Sequence, residues 1–152
     1  LVFLGLGWRL YPVVAELRTE KPALETAAFN IKSTLEATED DAVILTYGWV
    51  DHITYYGNRS VLNYRRIPQY DPIQDKYRFD LFEPCLVYAV DTLLLAGTPV
   101  YFHEDRSPTL YNAKEVLEKH YRLTLAIEQA KIFRVSNDGL TAVRESAAVC
   151  TP

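Results

Sequence analysis

The chain has 152 residues, of which 49% are hydrophobic and 24% charged, as expected for a single globular domain and not for a disordered segment. Its formal net charge is −4 and it carries no basic stripe, which disfavours nucleic acid as a partner. Two cysteines are too few and too far apart in sequence for a zinc site.

The first 15 residues are apolar and include Trp8, Arg9 and Tyr11, residue types that collect where a helix leaves the hydrocarbon of a membrane. The stretch is shorter than the roughly 20 residues that a spanning helix needs, and no basic segment precedes it as in a signal peptide. Because the chain also lacks any Met, we expect it to be excised from a longer protein. Residues 1–18 are then a membrane-proximal leader, either the end of a transmembrane helix or a linker; the alternative is a buried first element of the domain.

The leader also contains Gly5 and Gly7, which begin like a dinucleotide-binding loop. That motif requires a third glycine where Leu10 stands, and it should follow a strand. No cofactor is therefore expected.

The α/β domain is predicted to occupy residues 19–136. Its first helix opens at Pro22 and presents an apolar face that extends to Leu35. Residues 42–47 form an unbroken apolar run, which predicts a central strand buried on both faces. A short helix over residues 49–56 follows, with Gly57 expected to end it in the left-handed conformation. Residues 60–64 are the next predicted strand.

The second half begins with residues 65–80, predicted to be an irregular loop of a length that is often functional. A helix over residues 82–94 with Gly97 as its stop, a strand over residues 99–103 and a helix from Ser107 to Tyr121 follow. Residues 123–127 and 131–135 are predicted to pair as an antiparallel hairpin around a three-residue turn.

Strands that alternate with helices predict a parallel sheet covered on both faces. The expected fold is thus an α/β, three-layer Rossmann-like or flavodoxin-like domain, mostly parallel, with a C-terminal antiparallel hairpin. Residues 137–152 are expected to form a flexible tail. Cys85 falls in a helix and Cys150 in this tail, and the sequence leaves open whether they are bridged.

Polar residues follow two of the predicted parallel strands. Asp51 and His52 come after the first, and His103 and Asp105 end the third. Ligands of open α/β sheets gather at the carboxyl ends of strands, so these residues are candidates for a small acidic site. Solvated strand and helix ends are the plainer interpretation. Since no nucleophile has a base beside it and no metal-ligand spacing occurs, no catalytic residue and no metal are expected.

Aromatic residues surround the same edge of the sheet. Tyr47, Trp49, Tyr70 and Tyr77 offer flat apolar faces with polar tips, which suit interfaces and sugar stacking. The predicted ligand surface therefore consists of Tyr47, Trp49, Asp51, Tyr70, Tyr77, His103 and Asp105. A set of nearby arginines could meet an anionic group: Arg59, Arg65 and Arg66.

Two segments also carry a family resemblance. Residues 41–46 form an apolar strand, and residues 55–62 give paired aromatics, a Gly-x-Arg sequence at Gly57 to Arg59 and a second strand. Residues 94–101 add a helix end, a glycine stop and a strand. This pattern, over roughly residues 20–135, resembles the soluble extracytoplasmic domain that follows the last membrane helix in polytopic GT-C superfamily glycosyltransferases of the dolichyl-phosphate-mannose protein mannosyltransferase-like type.

The resemblance implies a non-catalytic, membrane-anchored domain on the extracytoplasmic face, which assists acceptor binding or active-site organisation. The parent would be a glycosyltransferase that uses a polyprenyl-phosphate sugar. The implied partners are the parent's membrane helices and a glycan or lipid-linked sugar. The family's catalytic acidic residue lies between early membrane helices, so none carries over to this sequence. The alternative is a soluble small-molecule-binding or hydrolytic α/β domain with an acidic site at the carboxyl edge of the sheet.

Overall fold

A computed structural model describes residues 31–32, 34–68, 70–71, 73–105, 111–137 and 150. The leader at residues 1–18 and most of the first predicted helix lie outside these residues. The strands are β1 (Val43–Thr46), β2 (Ser60–Asn63), β3 (Tyr70–Asp71), β4 (Lys76–Tyr77), β5 (Val100–His103), β6 (Arg122–Ile127) and β7 (Ile132–Ser136). The helices are α1 (Val50–Gly57), α2 (Phe82–Leu95) and α3 (Ala113–His120), with 3-10 turns at Tyr64–Arg66 and Phe79–Leu81.

Five of the strands form one mixed sheet in the order β2-β1-β5-β7-β6. Strand β1 pairs in parallel with β2 and β5, whereas β7 runs antiparallel to both β5 and β6. The predicted α/β class, the central position of β1 and the C-terminal hairpin are confirmed. The hairpin turn has four residues, not three, and Lys131 takes a positive φ of 49° at its end.

The core divides into two hydrophobic clusters that use alternate residues of the same strands. Leu45 and Phe102 pack with α2 and α3 in one cluster, while Ile44 and Tyr101 pack with Leu35 and α1 in the other. Successive side chains of a strand point to opposite faces, so the two clusters lie on opposite faces of the sheet. This explains why the apolar run of β1 shows no alternation.

The end of α1 differs from the prediction for Gly57. Gly57 is still helical, and Asn58 is the left-handed residue, with φ 47° and ψ 46°. Gly57 is needed for another reason: a Cβ at this position would collide with Cδ1 of Leu35. Gly97, in contrast, has φ 77° after α2 and confirms the predicted stop.

The guanidinium of Arg59 is already occupied, because its side chain is only 6% exposed and its Nη2 pairs with the exposed Asp40 carboxylate at 3.2 Å. Its guanidinium donates to the carbonyls of Leu35 and Thr38 and to those of Gly57 and Asn58. A cation at this point satisfies carbonyl groups at the ends of two helical segments and opposes their partial negative charge. Arg59 therefore joins α1 to the end of the preceding helix.

Residues 65–80, which the sequence predicted to be an irregular loop, contain short strands and 3-10 turns. Strands β3 and β4 pair Tyr70 with Tyr77 as a small hairpin, in which the Asp71 carboxylate accepts hydrogen bonds from the backbone N–H groups of Ile73 and Gln74. The following 3-10 turn leads directly into α2. The segment thus carries Phe79 to the N-terminal end of α2.

The start of α3 also differs from the prediction. The sequence places a helix from Ser107, but Tyr111 lies in a turn and Asn112 has φ 22°, so α3 begins only at Ala113. Residues 106–110, including the predicted Ser107 cap, lie outside the described residues. The non-helical backbone at Tyr111 leaves its ring beside α2.

The two cysteines are joined as a disulfide, a question that the sequence left open. Cys85 of α2 and Cys150 are bonded, with 5.2 Å between their Cα atoms and 65 positions between them in sequence. Across the described part of the chain, no helix combines the length and apolarity needed to cross a bilayer.

Candidate ligand-binding site

Asp105 connects three elements at the carboxyl edge of the sheet. Its Oδ2 accepts hydrogen bonds from the backbone N–H groups of Tyr47 (2.9 Å) and Gly48 (2.7 Å) and from the Thr46 hydroxyl (3.2 Å). Its Oδ1 accepts a hydrogen bond from the Tyr64 hydroxyl at 2.9 Å. Three donors thus converge on Oδ2 and one reaches Oδ1, which uses most of the acceptor capacity of the carboxylate. Asp105 is therefore engaged in holding the strand ends together.

His103 lies beside Asp105 but below the surface. It is the last residue of β5, and its Nδ1 lies 3.2 Å from the Thr46 hydroxyl. Burial lowers the pKa of His103, and the negative charge of Asp105 opposes this shift. Because Thr46 donates to Asp105, its oxygen is free to accept from a protonated Nδ1. The three side chains then form a short hydrogen-bonded chain.

These three hydrogen-bonded side chains are poorly placed to act on a substrate. Thr46 is fully buried and His103 is only 9% exposed. Asp51 lies on the exposed first turn of α1, and none of the hydrogen bonds that join Thr46, His103 and Asp105 includes it. The structure therefore brings His103 and Asp105 together, as the sequence suggested, but gives them the contacts of a structural cluster.

The predicted aromatic residues separate into two groups. Trp49 packs on His52 and His103, with ring centroids 4.9 and 6.3 Å away. Tyr47 packs instead on Tyr64 and Tyr111, at 5.9 and 5.0 Å. On the β3–β4 hairpin, Tyr77 is exposed and its ring centroid lies 6.2 Å from that of Phe79. For Tyr70, the structure describes only the backbone.

Tyr111 is the centre of an aromatic cluster that the sequence did not predict. Its ring makes edge contacts with Phe79 and Phe82, with centroids 5.7 and 5.6 Å apart. These three rings, called the aromatic wall here, are among the residues that line a partly open cavity of about 280 Å³ between the start of α2 and α3, where Phe82 is only 4% exposed. That volume is just below the range typical for drug-sized ligands, about 300–1,000 Å³.

The same cavity is also lined by four polar residues, which are called its rim here: Glu83, Asn112, Glu115 and Lys119. Glu83 Oε1 accepts a hydrogen bond from Lys119 Nζ at 2.6 Å and lies 2.8 Å from His120 Nε2. The Lys119 hydrogen bond, followed by that of His120, lowers the pKa of Glu83. The Asn112 amide donates to the Glu115 carboxylate. The rim thus offers both donors and acceptors around an aromatic wall.

Of the residues that line the cavity, only Phe79 lies in residues 65–80, the loop that the sequence predicted to be functional. Glu83 and Lys119 are 36 positions apart, and Phe82 and Tyr111 are separated by a strand. No local spacing links such residues, because the docking of α3 on α2 brings them together. The charged i and i+4 pair, Glu115 and Lys119, was the one local signal of a polar helix face.

Within the described ranges, no group of three or more His, Cys, Asp or Glu side chains is arranged to hold a metal ion. Comparison of the chain with protein-family models, with curated proteins and with solved structures finds no match.

Proposed function

We propose that this chain is a non-catalytic carbohydrate-binding domain of a membrane glycosyltransferase whose donor is a polyprenyl-phosphate sugar. The domain would assist acceptor binding or organise the parent's active site. The observation that carries the proposal is the cavity with Phe79, Phe82 and Tyr111 on one wall and polar groups around its rim. The resemblance to the GT-C extracytoplasmic domains supports the choice of parent.

A sugar ring matches the two surfaces of this cavity. The apolar C–H face of a pyranose packs on aromatic rings, and its hydroxyl groups need partners of both kinds. Glu83 and Glu115 supply carboxylate acceptors, and Asn112 and Lys119 supply N–H donors, although each donor already bonds to one of these carboxylates. A mixed rim of this kind favours a hydroxylated ligand over a purely apolar one.

Two carboxylates in a sugar site also raise the possibility of glycoside hydrolysis, but the lowered pKa of Glu83 argues against it. The general acid of a glycosidase needs a raised pKa, whereas Lys119 lowers the pKa of Glu83. At the alternative acidic site, four donors from the protein already hold the Asp105 carboxylate. Both observations support a binding role without chemistry.

Membrane attachment on the extracytoplasmic face is part of the same proposal. The apolar leader supports attachment, and the Cys85–Cys150 disulfide supports an oxidising compartment, where such bonds persist. We also propose the finer classification as a three-layer Rossmann-like domain, which the clusters on opposite faces of the sheet support. An experimental structure that placed residues 22–30 away from the α1 face would contradict this classification.

The binding proposal is tested by NMR titration of the chain with methyl glycosides of neutral hexoses. We expect saturable shifts around Phe79, Tyr111 and α3. Phe79→Ala should weaken binding about tenfold, since about 50 Å² of apolar contact is worth roughly 1.3 kcal/mol. Phe79 is 37% exposed, so its removal should leave the fold intact.

Tyr55→Ala is the matched control, because Tyr55 is an 82% exposed aromatic residue on α1 and does not line the cavity. This variant should bind as the wild type does. Absence of shifts at millimolar sugar, or equal weakening by both substitutions, would contradict the proposed site.

A further inference from the structure

We propose that the cavity accepts an uncharged sugar, such as an acceptor glycan presents, and discriminates against a sugar that bears a phosphate. This inference rests on the proposed carbohydrate binding and assigns its ligand class. The deciding feature is the charge distribution around the rim.

The cavity rim carries two carboxylates, Glu83 and Glu115, against one ammonium group, that of Lys119. Its formal charge is therefore negative. The ammonium is also engaged, since Lys119 Nζ donates to Glu83 Oε1 at 2.6 Å. A phosphate at this rim would have to displace Glu83 from Lys119 and would face Glu115 as well.

Both helices that border the cavity begin with an acidic residue in the first turn. Glu83 occupies this position in α2, and Glu115 occupies it in α3. A helix N-terminus favours a negative charge, and phosphate groups of ligands often bind there. Here the chain supplies that negative charge itself at both termini, which leaves no electrostatic preference for an anionic ligand.

Among the described residues near the cavity, other basic side chains already have partners. His120 bonds to Glu83 from the side of α3, and Lys114 pairs with Glu104 at 3.0 Å. Arg78 pairs with Asp80 at 2.7 Å, and the Arg65 guanidinium lies over the Tyr47 ring, 5.6 Å from its centroid. Among the described residues that line the cavity, none adds a second positive charge.

The test is an NMR titration of the whole chain with three probes: a methyl hexoside, the same hexose as its 6-phosphate, and the corresponding uronate. We expect the neutral glycoside to bind at least tenfold more tightly than either anion. Glu115→Lys should strengthen binding of the 6-phosphate by about tenfold, because two unit charges change at an open, hydrated rim. Its affinity for the neutral glycoside should fall, because a carboxylate acceptor that lines the cavity is lost, so the ratio of phosphate to neutral affinity is the quantity that tests the proposal.

Glu118→Lys is the matched control, since Glu118 is an exposed acidic residue on the same helix but does not line the cavity. It makes the same change in net charge and should leave all three affinities unchanged. Equal or tighter binding of the phosphate by the wild type, lost in Phe79→Ala, would overturn the preference for neutral sugars and retain carbohydrate binding. Failure of all three probes to bind would overturn both proposals.

Discussion

The Tyr64 hydroxyl donates a 2.9 Å hydrogen bond to the Asp105 carboxylate, although 41 positions separate the two residues in sequence. Tyr64 follows β2 and Asp105 follows β5, so this bond spans β1, the strand between them. The other oxygen of the carboxylate binds the end of β1 itself. One side chain thus fixes the relative positions of three parallel strands at their carboxyl ends.

Asp105→Ala is expected to lower the free energy of unfolding by about 2–4 kcal/mol, because it removes the carboxylate that accepts from two hydroxyl groups and two backbone N–H groups at three strand ends. Urea unfolding followed by circular dichroism measures this. Asp51→Ala, at an exposed carboxylate, should change stability by no more than about 0.5 kcal/mol. A similar small change for Asp105→Ala would show that water replaces the carboxylate at no cost.

Arg59→Met is expected to destabilise the domain by about 3 kcal/mol or more, since several carbonyl groups at two helix ends lose a charged donor. Arg66→Met removes the same charge at an exposed position and should be nearly neutral. Thermal unfolding of both variants at one pH makes the comparison. Equal melting temperatures would contradict the bridging role of Arg59.

Gly57→Ala should destabilise the protein, although alanine is favoured over glycine in a helix interior by about 0.5–1 kcal/mol. The new Cβ would collide with Leu35. Leu35→Ala alone should also be destabilising, because it opens a cavity in a fully buried position. In the double variant the two costs should be less than additive, since the smaller side chain makes room for the new methyl group. Strict additivity in chemical unfolding would rule out this contact.

Burial of His103 predicts a loss of stability as the solution becomes mildly acidic. Its pKa is lowered in the folded state from 6.5, so the unfolded chain binds the proton more readily. The stability contributed by the neutral ring is complete above the unfolded pKa and is lost as pH falls below about 6.5 toward the folded pKa. His103→Gln should flatten the dependence of unfolding free energy on pH in this window.

His52→Gln is the control for that experiment, because His52 is only half-buried on α1. It should retain the wild-type slope between pH 5 and 7. The same slope in His103→Gln as in wild type would assign the acid sensitivity to other groups. Glu83, with its lowered pKa, contributes only at lower pH, where its carboxylate takes up a proton.

Loss of the disulfide should destabilise the chain by about 4 kcal/mol, as loop-closure entropy predicts for a bridge that spans 65 positions. Cys85→Ser and Cys150→Ser should each have this effect, and the double variant should add little, because either change breaks the same bond. Differential scanning calorimetry with and without reductant measures it. Thiol groups that react in the unreduced, denatured wild-type protein would contradict the bridge.

Elements whose signals are local could be predicted from the sequence. The unbroken apolar run at residues 42–47 predicted a strand covered on both faces, Gly97 marked the end of α2, and two apolar segments around a short turn predicted the C-terminal hairpin. The proximity of His103 and Asp105 was also predictable, because they lie two residues apart at the end of one strand, where extended backbone places i and i+2 side chains on one face. These features follow from the periodicity of side chains along a strand or helix.

The contacts of the polar and aromatic residues could not be predicted in this way. Arg59, suggested for an anionic ligand, is buried against helix carbonyls; Asn58, not Gly57, takes the left-handed conformation; and Asp105 accepts hydrogen bonds from other strands. The cavity wall joins Phe82 with Tyr111, which no spacing rule connects. The physical reason is that a side chain's partner depends on strand order and on how helices dock, both of which are set by contacts between residues tens of positions apart.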